Sequence, residues 1–163
     1  MDTKKYNPSL SVRYNRKSLR LSTHNYGGSG TYFVTICSEL QEPVFVIPEL
    51  HSILDEVWQT LPSRYSGLTL DEFVIMADHI HFIIHLEGGV EKPATLSGVV
   101  GAYKSITTVM WLKHIKTAGL ECPGRIWQRG YYERSIRDTE ELTQTRQYIR
   151  SNPIKQLNNN AGT

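Results

Sequence analysis

Residues Leu68–Leu86 read LTLDEFVIMADHIHFIIHL, and the way this stretch folds decides the architecture. Its two halves, Leu68–Met76 and Ile80–Leu86, are rich in β-branched and aromatic residues, which suit a pleated, half-buried surface. Only the short connection around Ala77-Asp78 separates them. Parallel strands need a crossover of a dozen or more residues, so a link this short predicts an antiparallel hairpin.

Working outward, Thr31–Cys37 (TYFVTIC) is a β-branched and aromatic strand. Residues 51–61 place Ile53, Val57, Trp58 and Leu61 at helical spacing, which predicts a helix between that strand and the hairpin. Residues 88–94 hold two glycines and a proline and read as a loop. Thr95–Ala118 is a long amphipathic helix closed by Gly119, and Gly101 inside it lowers helix propensity without breaking the pattern. Cys122-Pro123-Gly124 makes a turn, and Tyr131–Ile136 a last strand. Asp138 or Thr139 caps a final helix whose first turn carries Glu140 and Glu141. That helix is expected to end near Ser151, because Pro153 disfavours helical geometry at Asn152. The order β-α-β-β-α-β-α predicts an α+β, ferredoxin-like antiparallel sheet with helices packed on one face. The last helix is an extra C-terminal element. Residues 1–30 read as a basic arm closed by the flexible Gly27-Gly28-Ser29-Gly30, residues 31–155 as one domain, and residues 156–163 as a frayed tail.

The 163-residue length fits one domain, and 39% hydrophobic with 21% charged residues can build a core. No apolar run reaches the ~18–20 residues that span a bilayer, and the first residues lack a signal-peptide stretch. Cys37 and Cys122 are too few for a disulfide framework and have no metal-binding spacing. A cytoplasmic protein is the expectation. The net charge of +2 is a cancellation. Residues 1–30 carry six Lys/Arg against one acid, residues 31–100 carry ten acids against Arg64 and Lys92, and residues 101–163 carry ten Lys/Arg against five acids. Basic ends around an acidic middle suit a polyanion partner; chance clustering on an ordinary charged surface gives the same pattern.

Three constellations could carry chemistry. In Asp78-His79-Ile80-His81, the two histidines share a strand face about 6.6 Å apart, where both can reach one divalent ion. Two ligands make no stable site, so a metal needs a third; otherwise these are half-buried strand histidines. His85 has the same parity but lies about 13 Å beyond His81, so it reads as a sheet or surface histidine. In Tyr148-Ile149-Arg150-Ser151-Asn152-Pro153, Tyr148 and Asn152 share a helix face. The Asn amide oxygen is a hard ligand suited to Mg²⁺ or Mn²⁺, and the tyrosine would stand one turn from that ion. A packed tyrosine and an Asn-Pro helix terminator make the plainer reading. Trp127-Gln128-Arg129-Gly130-Tyr131-Tyr132-Glu133-Arg134 with Arg137 interleaves cations and aromatics, as single-stranded nucleic acid requires. One apolar face and one solvated basic face would look the same. Lys104 is a phosphate contact or a surface lysine.

The ordered set resembles the REP-associated tyrosine transposases, a branch of the HUH single-tyrosine transposases. It comprises His-x-His on a strand, Tyr103-Lys104-Ser105, Trp127-Gln128, an Arg after Tyr132-Glu133, and Tyr148-Ile149-x-x-Asn152-Pro153. The basic run Arg16–Arg20 and the strand Thr31–Cys37 followed by an acidic stretch fit that branch, and the match spans roughly residues 16 to 155. The chain departs from the family at Ala77, where proline is usual, at Asp78, where Asn or Glu is usual, and at Arg134, where histidine is usual.

The resemblance implies that His79, His81 and Asn152 hold Mg²⁺ or Mn²⁺ and that Tyr148 is the nucleophile. Lys104, Trp127, Gln128, Arg134 and Arg137 would hold DNA, with Arg16 and Arg20 in the basic arm. The implied partner is a single-stranded DNA hairpin and the implied activity is metal-dependent cleavage and strand transfer through a 5′-phosphotyrosine. A non-catalytic hairpin-binding relative and a nuclease that uses water are the alternatives. Whether the chain acts as a monomer or a homodimer does not follow from the sequence.

Overall fold

A computed structural model describes residues 29–160, with side chains through Pro153. Residues 1–28 of the basic arm, including Arg16 and Arg20, lie outside the described residues, and Gly30, read as its last residue, opens the first strand. Four strands, β1 (Gly30–Cys37), β2 (Leu68–Ile75), β3 (His79–Leu86) and β4 (Tyr132–Ile136), form one sheet in the order β2-β3-β1-β4. Every neighbouring pair is antiparallel. Three helices, α1 (Pro48–Thr60), α2 (Leu96–Ala118) and α3 (Thr139–Asn160), complete the α+β fold expected from the sequence. No helix among the described residues is long and apolar enough to cross a membrane.

The hairpin forms where the sequence puts it: β2 pairs with β3 in antiparallel register from Leu68↔Leu86 to Ile75↔Ile80. The alternation of β1 and β3 then divides the sheet. Val34 and Ile36 with Ile80, Phe82, Ile84 and Leu86 face α1 and α2, and join the main core with Leu50, Leu54, Val57, Trp58, Val99 and Tyr103. The Tyr103 hydroxyl, fully buried, donates to the Leu54 carbonyl at 3.0 Å and so ties α2 to α1. Phe33 and Ile83 face the other way and form a smaller cluster with Ile136 and with Ile149 of α3. The expectation that the helices share one face therefore holds for α1 and α2. The third helix covers the opposite face, because the odd-numbered residues of β1 and β3 also include apolar side chains that need cover.

Two boundaries depart from the sequence reading. α1 begins at Pro48, with proline in the first turn where its missing N–H costs nothing. α3 does not stop near Ser151 but runs through Pro153 to Asn160, into the segment read as a tail. A proline inside a helix removes one backbone bond, here to the carbonyl four residues back at Ile149, and the helix continues past that single loss. The ends of α2 follow the sequence: the Thr95 side chain accepts from the Gly98 N–H at 3.1 Å, and Gly119 closes the helix at φ 63°.

Candidate active site

The site is built from the α3-facing side of the sheet. His79, His81, Ile83 and His85 of β3 share this side, and Thr31, Phe33 and Thr35 of β1 stand beside them. The antiparallel register sets Thr35 directly opposite His81, and the Thr35 hydroxyl lies 2.8 Å from His81 Nδ1. His79 Nδ1 lies 2.6 Å from Asp78 Oδ1. With each Nδ1–H donating to its oxygen, both Nε2 lone pairs turn inward, and the two Nε2 atoms are 3.1 Å apart. Burial, helped by the neighbouring His79 and opposed by Asp78, pushes the His81 pKa down to about 3, so this ring is neutral at physiological pH. Neutral imidazole is the form that binds metals. Cys37 stands opposite His79 in the register, but burial and then the Asp78 charge push its thiol up to about 11, so it stays protonated.

Two donors bound to one ion at about 2.1 Å, and 3.1 Å from each other, subtend an angle of roughly 95°, within the range of octahedral and tetrahedral sites. The histidine pair thus already has the spacing of two ligands on one cation. Among the described residues no group of three or more His, Cys, Asp or Glu side chains could hold a metal. Asn152 of α3 is buried, and its amide nitrogen, a donor that cannot bind a cation, has no hydrogen-bond partner.

Tyr148 precedes Asn152 by one turn of α3, and its ring meets His81 at 5.6 Å between centroids with a 61° interplanar angle. The same ring packs edge-on against Phe33 at 6.1 Å, while Phe33 stacks on His81 at 5.4 Å. Histidine strand and tyrosine helix, 67 residues apart in sequence between His81 and Tyr148, therefore meet at one place.

The residues expected to hold DNA fall into different surroundings. Arg137 is exposed. Arg134 turns inward: its guanidinium lies 5.6 Å over the Phe33 ring, pairs with Glu141 and donates to the Thr145 hydroxyl at 3.0 Å. It anchors the first turns of α3. Trp127 is in the core, its indole N–H donating to Thr107 at 2.9 Å. Lys104 Nζ donates to the Gln128 and Gly130 carbonyls at 2.7 and 3.1 Å, and burial lowers its pKa, with Arg125 adding to the effect. Gln128 is half-buried, and its backbone N–H donates to the Cys37 carbonyl at 3.0 Å. Lys104 and Trp127 thus fix the 126–130 segment from beneath. A cleft of about 310 Å³ beside it, lined by Lys104, Ser105, Thr108, Val109, Arg125 and Trp127, shares no residue with the histidine–tyrosine cluster.

Sequence reasoning missed Thr35, because its pairing with His81 needs the strand register. It also missed the acids that bind α3. Asp71 receives Arg146 Nε at 2.9 Å and Nη2 at 2.6 Å, and His85 Nε2 at 2.7 Å, while Glu72 receives Arg150 Nε at 2.8 Å. His85, set aside as a sheet histidine, is the buttress of this pair and contacts Thr31 at 2.8 Å through Nδ1.

Comparison with known proteins agrees with this architecture. The sequence profile of the family described as "Transposase IS200 like" matches residues 28–152. An uncharacterized protein of Haemophilus influenzae (strain ATCC 51907 / DSM 11121 / KW20 / Rd) is 31% identical over an alignment covering 93% of this chain and 94% of that protein. Two solved structures are similar in fold. A REP-associated tyrosine transposase bound to a REP hairpin superposes with TM-score 0.60 at 21% identity, over 82% of this chain and 72% of that one. A putative transposase from Deinococcus radiodurans R1 superposes with TM-score 0.54 at 16% identity, over 78% of this chain and 94% of that one. With a family profile matched across the sheet, the histidine strand and α3 as far as Asn152, the chain belongs to the IS200-like transposase family.

Proposed function

We propose that this protein binds a hairpin in single-stranded DNA and cleaves and rejoins the strand beside it, with Tyr148 as nucleophile. The observation that carries this reading is the Tyr148 ring standing 5.6 Å from the His81 ring, beside two imidazole nitrogens aimed at one point. His79, His81 and the Asn152 amide oxygen are the residues that would hold Mg²⁺ or Mn²⁺. When bound, such an ion polarises the scissile phosphate and offsets the charge that builds on its oxygens.

The chain's own groups do the rest. Asp78 and Thr35 hold the two imidazoles so that both Nε2 atoms point the same way. The Tyr148 oxygen attacks phosphorus in line, forming the phosphotyrosine bond as the P–O3′ bond breaks. The phenolic proton leaves to solvent, and the departing 3′ oxygen takes up a proton to become a free 3′-hydroxyl. The DNA 5′ end stays on Tyr148 through a bond that conserves the phosphodiester's energy, and a second 3′-hydroxyl can reverse the step to join strands. Arg137 and the 126–130 segment are the described surface proposed for the DNA backbone, with Lys104 and Trp127 setting that segment's shape and Arg134 setting α3. Arg16 and Arg20, outside the described residues, are proposed as further backbone contacts. The similarity to a transposase solved with a REP hairpin supports a hairpin as substrate.

The test is a denaturing gel of the protein with end-labelled single-stranded hairpin DNA and Mn²⁺. A slow-migrating covalent adduct is expected for the natural sequence, and none for Tyr148→Phe, which should still bind the hairpin. An adduct of equal yield in Tyr148→Phe removes the assignment. Binding without cleavage under any divalent ion identifies a hairpin-binding protein, and cleavage without adduct a nuclease that uses water.

A further inference from the structure

β2 carries one residue too many for its partner. Leu70 pairs with Ile84 and Phe73 with Phe82, so Asp71 and Glu72 both stand opposite Ile83. In a regular strand, consecutive side chains point to opposite faces; a bulge of this kind lets both reach the same side. Here both carboxylates reach α3, Asp71 to Arg146 and Glu72 to Arg150. The Asp71 side chain is only 9% exposed and receives three N–H groups: two from the Arg146 fork and one from His85.

On a helix turning 100° per residue, Arg146 and Arg150 lie on one flank and Tyr148 and Asn152 on the other, about 160° around the axis. Between them, Thr145 and Ile149 face the sheet, with Ile149 in the Phe33–Ile83–Ile136 cluster. Apolar contacts of this size resist lifting of the helix but do little to fix its roll, since burial is non-directional, and the directional contacts of Arg134 with Glu141 and Thr145 lie in the first turns, before Tyr148. A bidentate guanidinium–carboxylate pair is directional. A roll of about 20° moves a side-chain group ~6 Å from the axis by about 2 Å. A displacement of that size at a reacting group is ruinous for in-line attack.

We propose that Asp71 and Glu72, presented together by the β2 bulge, are positioning residues that set the roll of α3 through Arg146 and Arg150 and so hold Tyr148 against His81. The inference rests on Tyr148 being the nucleophile, but its structural content, the placement of the Tyr148 ring, stands apart from that chemistry. His85 and Thr31 extend the arrangement into β3 and β1, which ties the Asp71 carboxylate to the sheet as well as to α3.

The experiment labels the full-length protein with 3-fluorotyrosine and assigns the Tyr148 resonance by its loss in Tyr148→Phe. Asp71→Asn is expected to shift or broaden that resonance and to lower the single-turnover rate of adduct formation at saturating hairpin DNA and Mn²⁺ about 10- to 100-fold. Hairpin affinity should stay within about twofold, since binding does not depend on the tyrosine's position. The exchanged pair Asp71→Arg with Arg146→Asp should restore both signals, which a merely structural loss does not allow. A Tyr148 resonance and rate unchanged in Asp71→Asn overturn the proposal, as does a rate that falls only in step with hairpin affinity. Where Asp71→Asn fails to fold, the more exposed pair is tested through Glu72→Gln, with the same shift expected and a resonance like that of the natural sequence overturning the idea. If the natural protein forms no adduct, the proposed activity fails, and the fluorine signal alone decides whether the two acids place Tyr148.

Discussion

The Nε2 atoms of His79 and His81 stand 3.1 Å apart, and each ring is held from behind through its Nδ1, by Asp78 and by Thr35. One proton or one cation between the two nitrogens satisfies this geometry. Replacing both histidines with Ala should abolish Mn²⁺ binding, read by calorimetry or by the Mn²⁺ electron-resonance signal, and cleavage with it. Asp78→Asn should weaken Mn²⁺ binding about 10- to 100-fold while leaving the fold intact, because the ring keeps its place but loses the anionic partner that makes it a better donor. Unchanged affinity in Asp78→Asn would show that the carboxylate does not act on the metal.

Thr35→Val tests the other ring. It removes the hydroxyl beside His81 Nδ1 with little change of volume and leaves a buried N–H unpaired. A loss of about 1–3 kcal/mol is expected, measured as a lower urea midpoint with unchanged m-value.

The docking of α3 depends on few apolar contacts. Ile149 is 1% exposed, in a cluster whose other fully interior members are Phe33, Ile83 and Ile136. Ile149→Ala should cost about 2–5 kcal/mol. The cost should fall mainly on α3, so its amides should lose hydrogen-exchange protection before those of β1 and β3.

Acid should loosen the same helix. Burial alone would raise the Asp71 pKa, but the hydrogen bonds and charges of Arg146 and His85 outweigh it and lower the pKa below its ordinary value. A carboxylate lowered in the folded state contributes stability that is fully present above its unfolded pKa of about 3.9 and is lost as pH falls through the folded one. Urea midpoints should therefore drop below about pH 4, and the part of that drop owed to Asp71 should vanish in Asp71→Asn.

Glu133 gives the opposite sign. Burial raises its pKa, so the folded state favours the protonated acid and is weakened as pH rises through the folded value. Glu133→Gln should raise stability at pH 7, with the advantage shrinking toward about pH 4. A variant less stable than the natural protein at pH 7 would mean the carboxylate has a partner that outweighs its burial.

Much of this was legible in the chain. The strand alternation of residues 79–85, the short hairpin link and the Tyr148–Asn152 spacing are local patterns, each set by the period of its own element. Even the bulge left a trace: the apolar residues Leu68 and Leu70 are followed by Phe73 and Ile75, so the period of two slips by one between Leu70 and Phe73. What that slip does, turning Asp71 and Glu72 together toward two arginines of a helix some 75 residues later, has no local signature. The surroundings of the basic and aromatic residues were hidden for a related reason. Composition says that Arg134, Lys104 and Trp127 carry charge or a ring, and only packing says that they spend these on Glu141, on two carbonyls and on Thr107.

The sequence by itself determined the elements, their order, the antiparallel sheet and the two short motifs, because backbone period and turn length are properties of neighbouring residues. Tertiary structure alone decided that α3 covers the face opposite α1 and α2, that Thr35 stands behind His81, and that Tyr148 meets the histidine pair. Those depend on strand register and helix roll, which are set by contacts between residues far apart in the chain.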